Sequence, residues 1–424
     1  MWRLLLPGFK LKRFMLLVAV GFMGMGGAIG ETILSHRVHW WVDLSIFWAG
    51  LAVVGLGTWG MGAVMADLLG SDQWAGQWYS RRQLARGPRV TALGGGTGLP
   101  VVLRGLKEYT SNLTAVVTVA DDGGSSGRLR GDLGVLPPGD IRNCMVALAD
   151  TEPLMEELFQ HRFETGELKG HSFGNLFLAA MERTAGDFVT ALRESSRVLA
   201  VRGTVLPATL DRVSLWAELA TGVRIEGESN IGKSSDPIVR VGMEPPDATP
   251  LAETIQAIKE SDMVVLGPGS LYTSIIPNLL VAPIGEALKN SRALKVYVAN
   301  LMTQPGETTH FSFEDHLDAL ERHVGSGLVD VVLVNNQVID AAALEKYRQE
   351  GAEPVFAPGG GFRSGLTVVS EPLIAVDGVI RHDPAKLALA LLHLMVRFRP
   401  DWSHGHAIDG LWLDARLRHR RRSV

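Results

Sequence analysis

Cysteine is nearly absent: Cys144 stands alone in 424 residues, which excludes an internal disulfide and any cysteine metal cage. It falls in the apolar run 144–149 and reads as a small core residue. An excess of one charge sign is lacking too. The chain sets 41 Lys and Arg against 45 Asp and Glu, a net of −4, so no global charge argues for nucleic acid. Internal repeats and low-complexity blocks are missing, so the chain is not a repeat array. Its length allows about two to three domains.

What is plentiful is apolar sequence near the N-terminus. Mean hydropathy is +0.14, and its cause is local. Residues 14–34 are almost continuously apolar, and 44–69 are apolar apart from Asp67. Each can span a hydrocarbon core, which takes about 20 residues of helix. Glycines within 21–30 and 50–62 suit closely packed membrane helices. Trp40, Trp41 and Trp48 suit one interface and Trp59 the other. A cleaved signal peptide would account for the first segment but not the second. Arg3, Lys10, Lys12 and Arg13 precede the first span, and Arg81, Arg82, Arg86 and Arg89 follow the second. The connecting loop carries only Arg37. The positive-inside rule then puts both termini and the large remainder in the cytoplasm, on the inner (cytoplasmic) membrane. The expectation is a transmembrane hairpin and linker over 1–88, one large domain over 89–398 and a basic tail over 399–424.

Within the large domain, apolar strand-like runs alternate with helix-like ones, the pattern of an α/β fold with a mainly parallel, Rossmann-like sheet. Residues 153–163 and 187–198 read as helices. Residues 213–232 read as a hairpin turning at Thr221-Gly222, a small β excursion. Residues 234–250, rich in Pro, Asp and Ser, read as a loop, and 249–260 as a helix opened by Thr249.

The chemistry gathers where strands end. Residues 89–93 read as a buried strand running into Gly94, Gly95, Gly96, Thr97 and Gly98, with a helix over 99–109 behind them. Backbone N–H groups and the helix dipole make such a turn an anion site. Turns of this kind also serve packing alone, and Leu99 stands where the dinucleotide fingerprint needs its third glycine. A nicotinamide-dependent dehydrogenase is disfavoured on that ground. The next strand, 113–120, ends on Asp121 and Asp122, a pair suited to Mg²⁺ across a diphosphate, or to a plain turn. Strand 263–266 runs into Gly267, Gly269, Ser270 and Tyr272; strand 295–299 runs into Asn300, Thr303 and Gln304. Four strand ends with polar or glycine residues point to one crevice, where open α/β sheets collect ligands. Asp140, Arg142 and Asn143 suit a phosphate or sugar, although Asp140 also reads as a plain helix N-cap. His171 and Asn175 open another helix and are candidate ligand contacts, although such a histidine is more often structural than catalytic. Gly359, Gly360 and Gly361 lack the strand-then-helix setting. His404 and His406 lack further metal ligands. Arg416, Arg418, His419, Arg420, Arg421 and Arg422 form a basic run that suits solvent or anionic lipid.

These motifs resemble the CofD-like superfamily, most closely its YvcK branch, the gluconeogenesis factors. The likeness rests on G-G-G-T-G-L-P at 94–100, V-A-D-D-G-G-S-S-G-R-L-R at 119–130 and P-P-G-D-I-R-N at 137–143. It continues through H-R-F at 161–163, G-H-S-F-G-N at 170–175, G-P-G-S-L-Y-T-S at 267–274 and N-L-M-T-Q-P-G-E-T at 300–308. It covers most of 89–398 and leaves the N-terminal hairpin outside. The resemblance implies a Rossmann-like core that binds UDP-N-acetylglucosamine and regulates carbon flow toward the cell envelope and cell shape during gluconeogenic growth. It places the phosphates at Gly94–Gly98, the metal-binding acids at Asp121 and Asp122, and a nucleotide-sugar contact at Tyr272. The CofD branch implies the rival, a metal-dependent transferase; Gly-Gly-Ser-Ser-Gly-Arg after Asp122 sides with YvcK. The expected partners are thus a UDP-sugar, Mg²⁺ and the membrane, with no nucleic acid. A homo-oligomer is compatible with the sequence, and no protein partner is indicated.

Overall fold

The structure is a computed structural model, and it describes residues 11–34, 40–70, 84–150, 153–234, 236–356, 366–375, 379–400 and 402. The chain divides into two compact units, residues 1–83 and 84–424.

The first unit is a helix pair, α1 (Leu11–Leu34) and α2 (Trp40–Gly70). The two run antiparallel and touch along their glycines. A side-chain carbon at Gly21 would stand 2.6 Å from Val54 Cγ2, and one at Gly50 2.7 Å from Met25 Cγ. Small residues thus let two helices approach as membrane helices do. Outward-facing positions are apolar: Leu16, Met23, Trp48, Leu56 and Trp59 are all exposed. The stretch Trp41–Met61 is long and apolar enough to cross a membrane, whereas the apolar stretch of α1 is the shorter Phe14–Ile29.

The second unit is built on seven parallel strands in the order β10-β9-β8-β7-β1-β2-β3. They are β1 (Val90–Gly94), β2 (Leu113–Val117), β3 (Thr204–Pro207), β7 (Met263–Leu266), β8 (Leu294–Val298), β9 (Val331–Asn335) and β10 (Thr367–Glu371). Every residue of β1, β7, β8 and β9 is buried, as expected where helices cover both faces. After β1 the chain adds β2 and β3 on one side, then returns to place β7 on the other side of β1. The β1–β7 gap is therefore the switch point of the sheet.

Between β3 and β7 the chain makes an antiparallel sheet, β4 (Ser214–Leu219), β5 (Arg224–Glu226) and β6 (Ile238–Glu244), in the order β5-β4-β6. The hairpin around Thr221-Gly222 is there as read. Its third strand overturns the loop expected over 234–250. Prolines and aspartates flank Ile238–Glu244, but the segment pairs with β4 along its length, burying Ile238, Val241 and Met243. The helix expected from Thr249 begins at Ala252. Thr249 is taken up by other bonds, its carbonyl accepting from Thr209 Oγ1 and its N–H donating to Asp211. Helices expected over 99–109 and 153–163 are Gly98–Leu106 and Pro153–Gln160, and Asp187 caps the Phe188–Val198 helix.

Gly98 sits at the switch point, where any Cβ would run into the Pro268 carbonyl of the neighbouring turn. Backbone meets backbone there and cannot rotate aside. Gly98→Ala should cost about 1–3 kcal/mol of stability. An unchanged urea midpoint in the variant would show that the two turns are not in contact.

Candidate functional site

The carboxyl ends of β8, β7, β1 and β2 stand side by side, and their turns are tied together. β1 ends at Gly94, whose carbonyl accepts from Asn278 Nδ2 at 3.0 Å and from the Thr118 N–H at 3.1 Å. Gly96 has φ +57°, which a glycine adopts without strain. Its N–H donates to Asp140 Oδ2 at 2.6 Å. Behind the turn, the Gly98–Leu106 helix begins with no side-chain cap, and Pro100 in its first turn has no N–H to offer. Thr97 is exposed at the tip. From β7, Gly267 to Ser270 lead into a π-helical turn, Leu271–Ile275, and the Gly269 N–H donates to Asn300 Oδ1, from the β8 end, at 3.3 Å.

Asp140 does not cap its own helix. The N-cap of Gly139–Leu148 is Pro138, and the Asp140 carboxylate reaches across to the glycine turn instead. A side chain at Gly95 would stand 2.7 Å from Asp140 Oδ2 and 2.8 Å from Thr118 Cγ2. The glycines are required first by the molecule's own acid, and one turn N–H is already spoken for.

At the end of β2, Asp121 Oδ1 accepts from the Gly123 N–H and Asp122 Oδ1 from the Ser229 N–H, each at 2.9 Å. Ser229 belongs to the short Glu228–Ile231 helix after β5, so the β excursion folds back onto this rim. It brings Glu228, and the loop after β8 brings Glu307. Glu307 Oε1 accepts from Thr273 Oγ1 at 3.1 Å, while its Oε2 is buried without a partner. Sequence reasoning missed both. Glu307 lay in the quoted 300–308 motif, whereas nothing local marks Glu228.

The rim is therefore crowded with carboxyls. Burial pushes the Asp140 carboxyl up to about 6 and the Glu307 carboxyl up to about 7. Glu228 is pushed up to about 8, by burial first and then by Asp121, Asp140, Asp122 and Glu307. Among the described residues, none of the five forms a salt bridge.

A second network adjoins the rim. Ser125 Oγ lies 3.0 Å from His171 Nδ1 and accepts from Asn175 Nδ2 at 3.2 Å. Arg142 donates to Ser172 Oγ and to Asn143 Oδ1. His171 and Asn175 are thus joined through Ser125, Arg142 binds Asn143 directly, and Ser172 links Arg142 to the Asn175 N–H. Tyr272 is placed differently from the expectation. Its side chain is fully buried, its hydroxyl donates to the Ile238 carbonyl at 3.4 Å, and its ring packs against Phe311 and His323. The phenol anchors the π-helical turn to β6, inside the core. Thr303 is also internal, its hydroxyl accepting from the Glu353 N–H, while Gln304 is half-buried at the rim loop. Gly359–Gly361, His404, His406 and the 416–422 basic run lie outside the described residues.

The architecture defines a Rossmann-like α/β protein with an anion-type turn at its switch point and an acid-lined rim. Residues 90–374 match the family model described as 2-phospho-L-lactate transferase CofD. The Bacillus subtilis protein named gluconeogenesis factor is 51% identical over 73% of this chain and 98% of its own length. A crystal structure of a UPF0052-family protein from Bacillus halodurans superposes with a TM-score of 0.68 at 48% identity, covering 72% of this chain and 99% of that one. The chain belongs to the CofD-like family, in its gluconeogenesis-factor group. A relative from Clostridium acetobutylicum is 46% identical over 98% of this chain and 96% of its own length, so the likeness extends into the N-terminal segment.

Each raised carboxyl binds its proton more tightly in the folded chain than in the unfolded one. The folded state therefore loses stability as pH climbs from the ordinary carboxyl range toward about 8. Melting temperature of chelator-treated, ligand-free protein should fall from pH 6 to pH 8, and Glu228→Gln should flatten the upper part of that fall. A wild-type curve that is level or rising would refute the acid-crowding account.

Proposed function

We propose that the second unit binds a nucleoside diphosphate sugar at the switch point, with UDP-N-acetylglucosamine the ligand implied by the family resemblance. The observation that carries the reading is the uncapped first turn of the Gly98–Leu106 helix beside five carboxyls, none of which forms a salt bridge among the described residues. The helix N-terminus attracts phosphate, whereas the rim repels it. A divalent cation resolves the conflict by bridging carboxylate and diphosphate. No three His, Cys, Asp or Glu among the described residues are placed to cage a metal alone. That fits Mg²⁺, which takes one or two carboxylates and completes its shell with phosphate oxygens and water. Asp121 and Asp122 would hold it, since each has one oxygen beyond its backbone bond. The ion would neutralise charge between rim and ligand. The free N–H groups of the turn would orient the phosphates, and Asn300, Ser270 and Gln304 would line the sugar side.

We read the protein as a regulator that reports nucleotide-sugar supply to envelope synthesis and cell shape under gluconeogenic growth, in keeping with the name of its relatives. The reading includes a membrane tether. The apolar outer faces of α1 and α2 support it, since soluble proteins rarely expose contiguous apolar patches of that size. The rival reading, a metal-dependent transferase, has one contact in its favour: Ser125 and His171 stand at nucleophile–base spacing. Ser125 is only 4% exposed and also accepts from Asn175, which favours a structural role.

Calorimetry of the full chain with UDP-N-acetylglucosamine tests both readings. Affinity should be at least about tenfold higher with Mg²⁺ than with chelator, and Asp122→Asn should abolish that difference. Binding without product supports the regulator. Product that vanishes in Ser125→Ala supports the transferase, and no binding under any condition removes the site.

Topology is tested separately. A phosphatase reporter fused after Arg89 should be inactive and a fluorescent cytoplasmic reporter active, given the positive charges on both flanks. An active phosphatase fusion, or an intact chain soluble without detergent, would defeat the hairpin.

A further inference from the structure

The π-helical turn Leu271–Ile275 sends three neighbouring side chains in three directions. Tyr272 points into the core toward Ile238, and Thr273 Oγ1 donates to Glu307 Oε1 at 3.1 Å. Ser274 faces the glycine turn that ends β1. A Cβ at Gly95 or at Gly96 would stand 3.5 Å from Ser274 Oγ, and one at Gly269 would stand 3.5 Å from Ser274 Cβ. The hydroxyl therefore borders the space that the glycines of both turns leave open. Ser274 is 6% exposed, and its hydroxyl has no hydrogen-bond partner among the described residues. A polar group at that depth normally has one, as its neighbour Thr273 does.

Backbone bonds fix where this hydroxyl lies. Asn278 donates through Nδ2 to the Ser274 carbonyl at 2.7 Å and to the Gly94 carbonyl at 3.0 Å. One amide thus ties the residue that carries the hydroxyl to the end of β1. The Ser270 carbonyl accepts from the Ser274 and Ile275 N–H groups, each at 3.0 Å, and the Ile276 N–H reaches back to the Leu271 carbonyl. Single π-helical turns of this kind recur at functional sites. Asp140 Oδ2 borders the same Gly95 position at 2.7 Å, but it accepts the Gly96 N–H and carries the charge sign of a phosphate. The serine hydroxyl, by contrast, has an O–H to donate.

We propose that Ser274 is a phosphate-contact residue of the crevice, its O–H donating to an oxygen of the diphosphate seated on the turn at residues 94–98. The proposal rests on the nucleotide-sugar reading of this site. It adds a side-chain donor from the β7 side, so that both glycine turns hold the same group. Phosphate is favoured over sugar because the hydroxyl lies against Gly95 and Gly96, just ahead of an uncapped helix N-terminus where negative charge is stabilised. Charge-assisted hydrogen bonds of this type are the strong ones.

The test compares the full chain with its Ser274→Ala variant by calorimetry in Mg²⁺, using UDP-N-acetylglucosamine and UDP. Both ligands should bind the variant at least about tenfold more weakly, and by a similar factor, because both carry the diphosphate. The urea midpoint of the ligand-free variant should equal that of wild type, since the hydroxyl bonds to nothing in the ligand-free chain. Unchanged affinities would overturn the proposal. A loss confined to UDP-N-acetylglucosamine would also overturn it, by placing the hydroxyl at the sugar. So would a lowered urea midpoint, which would give the hydroxyl a structural role. The two levels fail differently. If wild type binds neither ligand, the nucleotide-sugar reading falls and this contact with it. If wild type binds both and Ser274→Ala binds them equally well, the contact alone falls.

Discussion

The second unit depends on the contact of two backbone turns across the β1–β7 switch point. Gly98 faces the Pro268 carbonyl with no room for a side chain, and Asn278 reaches from the β7 side to the Gly94 carbonyl. Parallel strands that diverge in chain direction leave a crevice at such a point. Here both lips of the crevice are glycine turns, so backbone groups rather than side chains line its floor. That constraint fixes where the first turn of the Gly98–Leu106 helix points. It also fixes which N–H groups remain, because Asp140 has taken the one on Gly96. The acid stiffens the turn and removes a donor in the same bond.

The rim around this floor is electrostatically unfinished. Asp121, Asp122, Asp140, Glu228 and Glu307 come from four separate stretches of chain, and buried carboxyls repel one another strongly in a low dielectric. Folding accepts this by raising proton affinities, with Glu228 carrying the largest displacement at about 8. Such an arrangement costs stability. Proton uptake relieves that repulsion. The short Glu228–Ile231 helix is tied to Asp122 through Ser229, so the β excursion is coupled to the charge state of the rim.

Local chemistry was legible in the sequence; long-range assembly was not. The glycine turn after a buried strand could be read because strand, turn and helix follow one another within 94–106. The parallel sheet followed from alternating element types. Residues 238–244 read as loop in the sequence because flanking Pro, Asp and Ser dominate and the buried Ile238, Val241 and Met243 do not strictly alternate; pairing with β4 makes them a strand. Asp140 looked like a cap because caps are local, yet its partner lies 44 residues away. Tyr272 was misjudged for a related reason: motif membership says nothing about which way a side chain points, and this one points into the core. Glu228 had no local signature at all. Its role arises when the excursion closes on β2, an event no window of sequence contains.

The two poles of the parallel sheet have different work. Polar strand ends, acids and the anion-type turn all lie at the carboxyl end, while Arg89, Asp262 and Arg399 close the amino end. In a parallel sheet every connection returns across the layers, so loops at the carboxyl pole vary without touching the amino pole. The described chain of this unit enters β1 at Arg89 and ends at Trp402, both on that amino side.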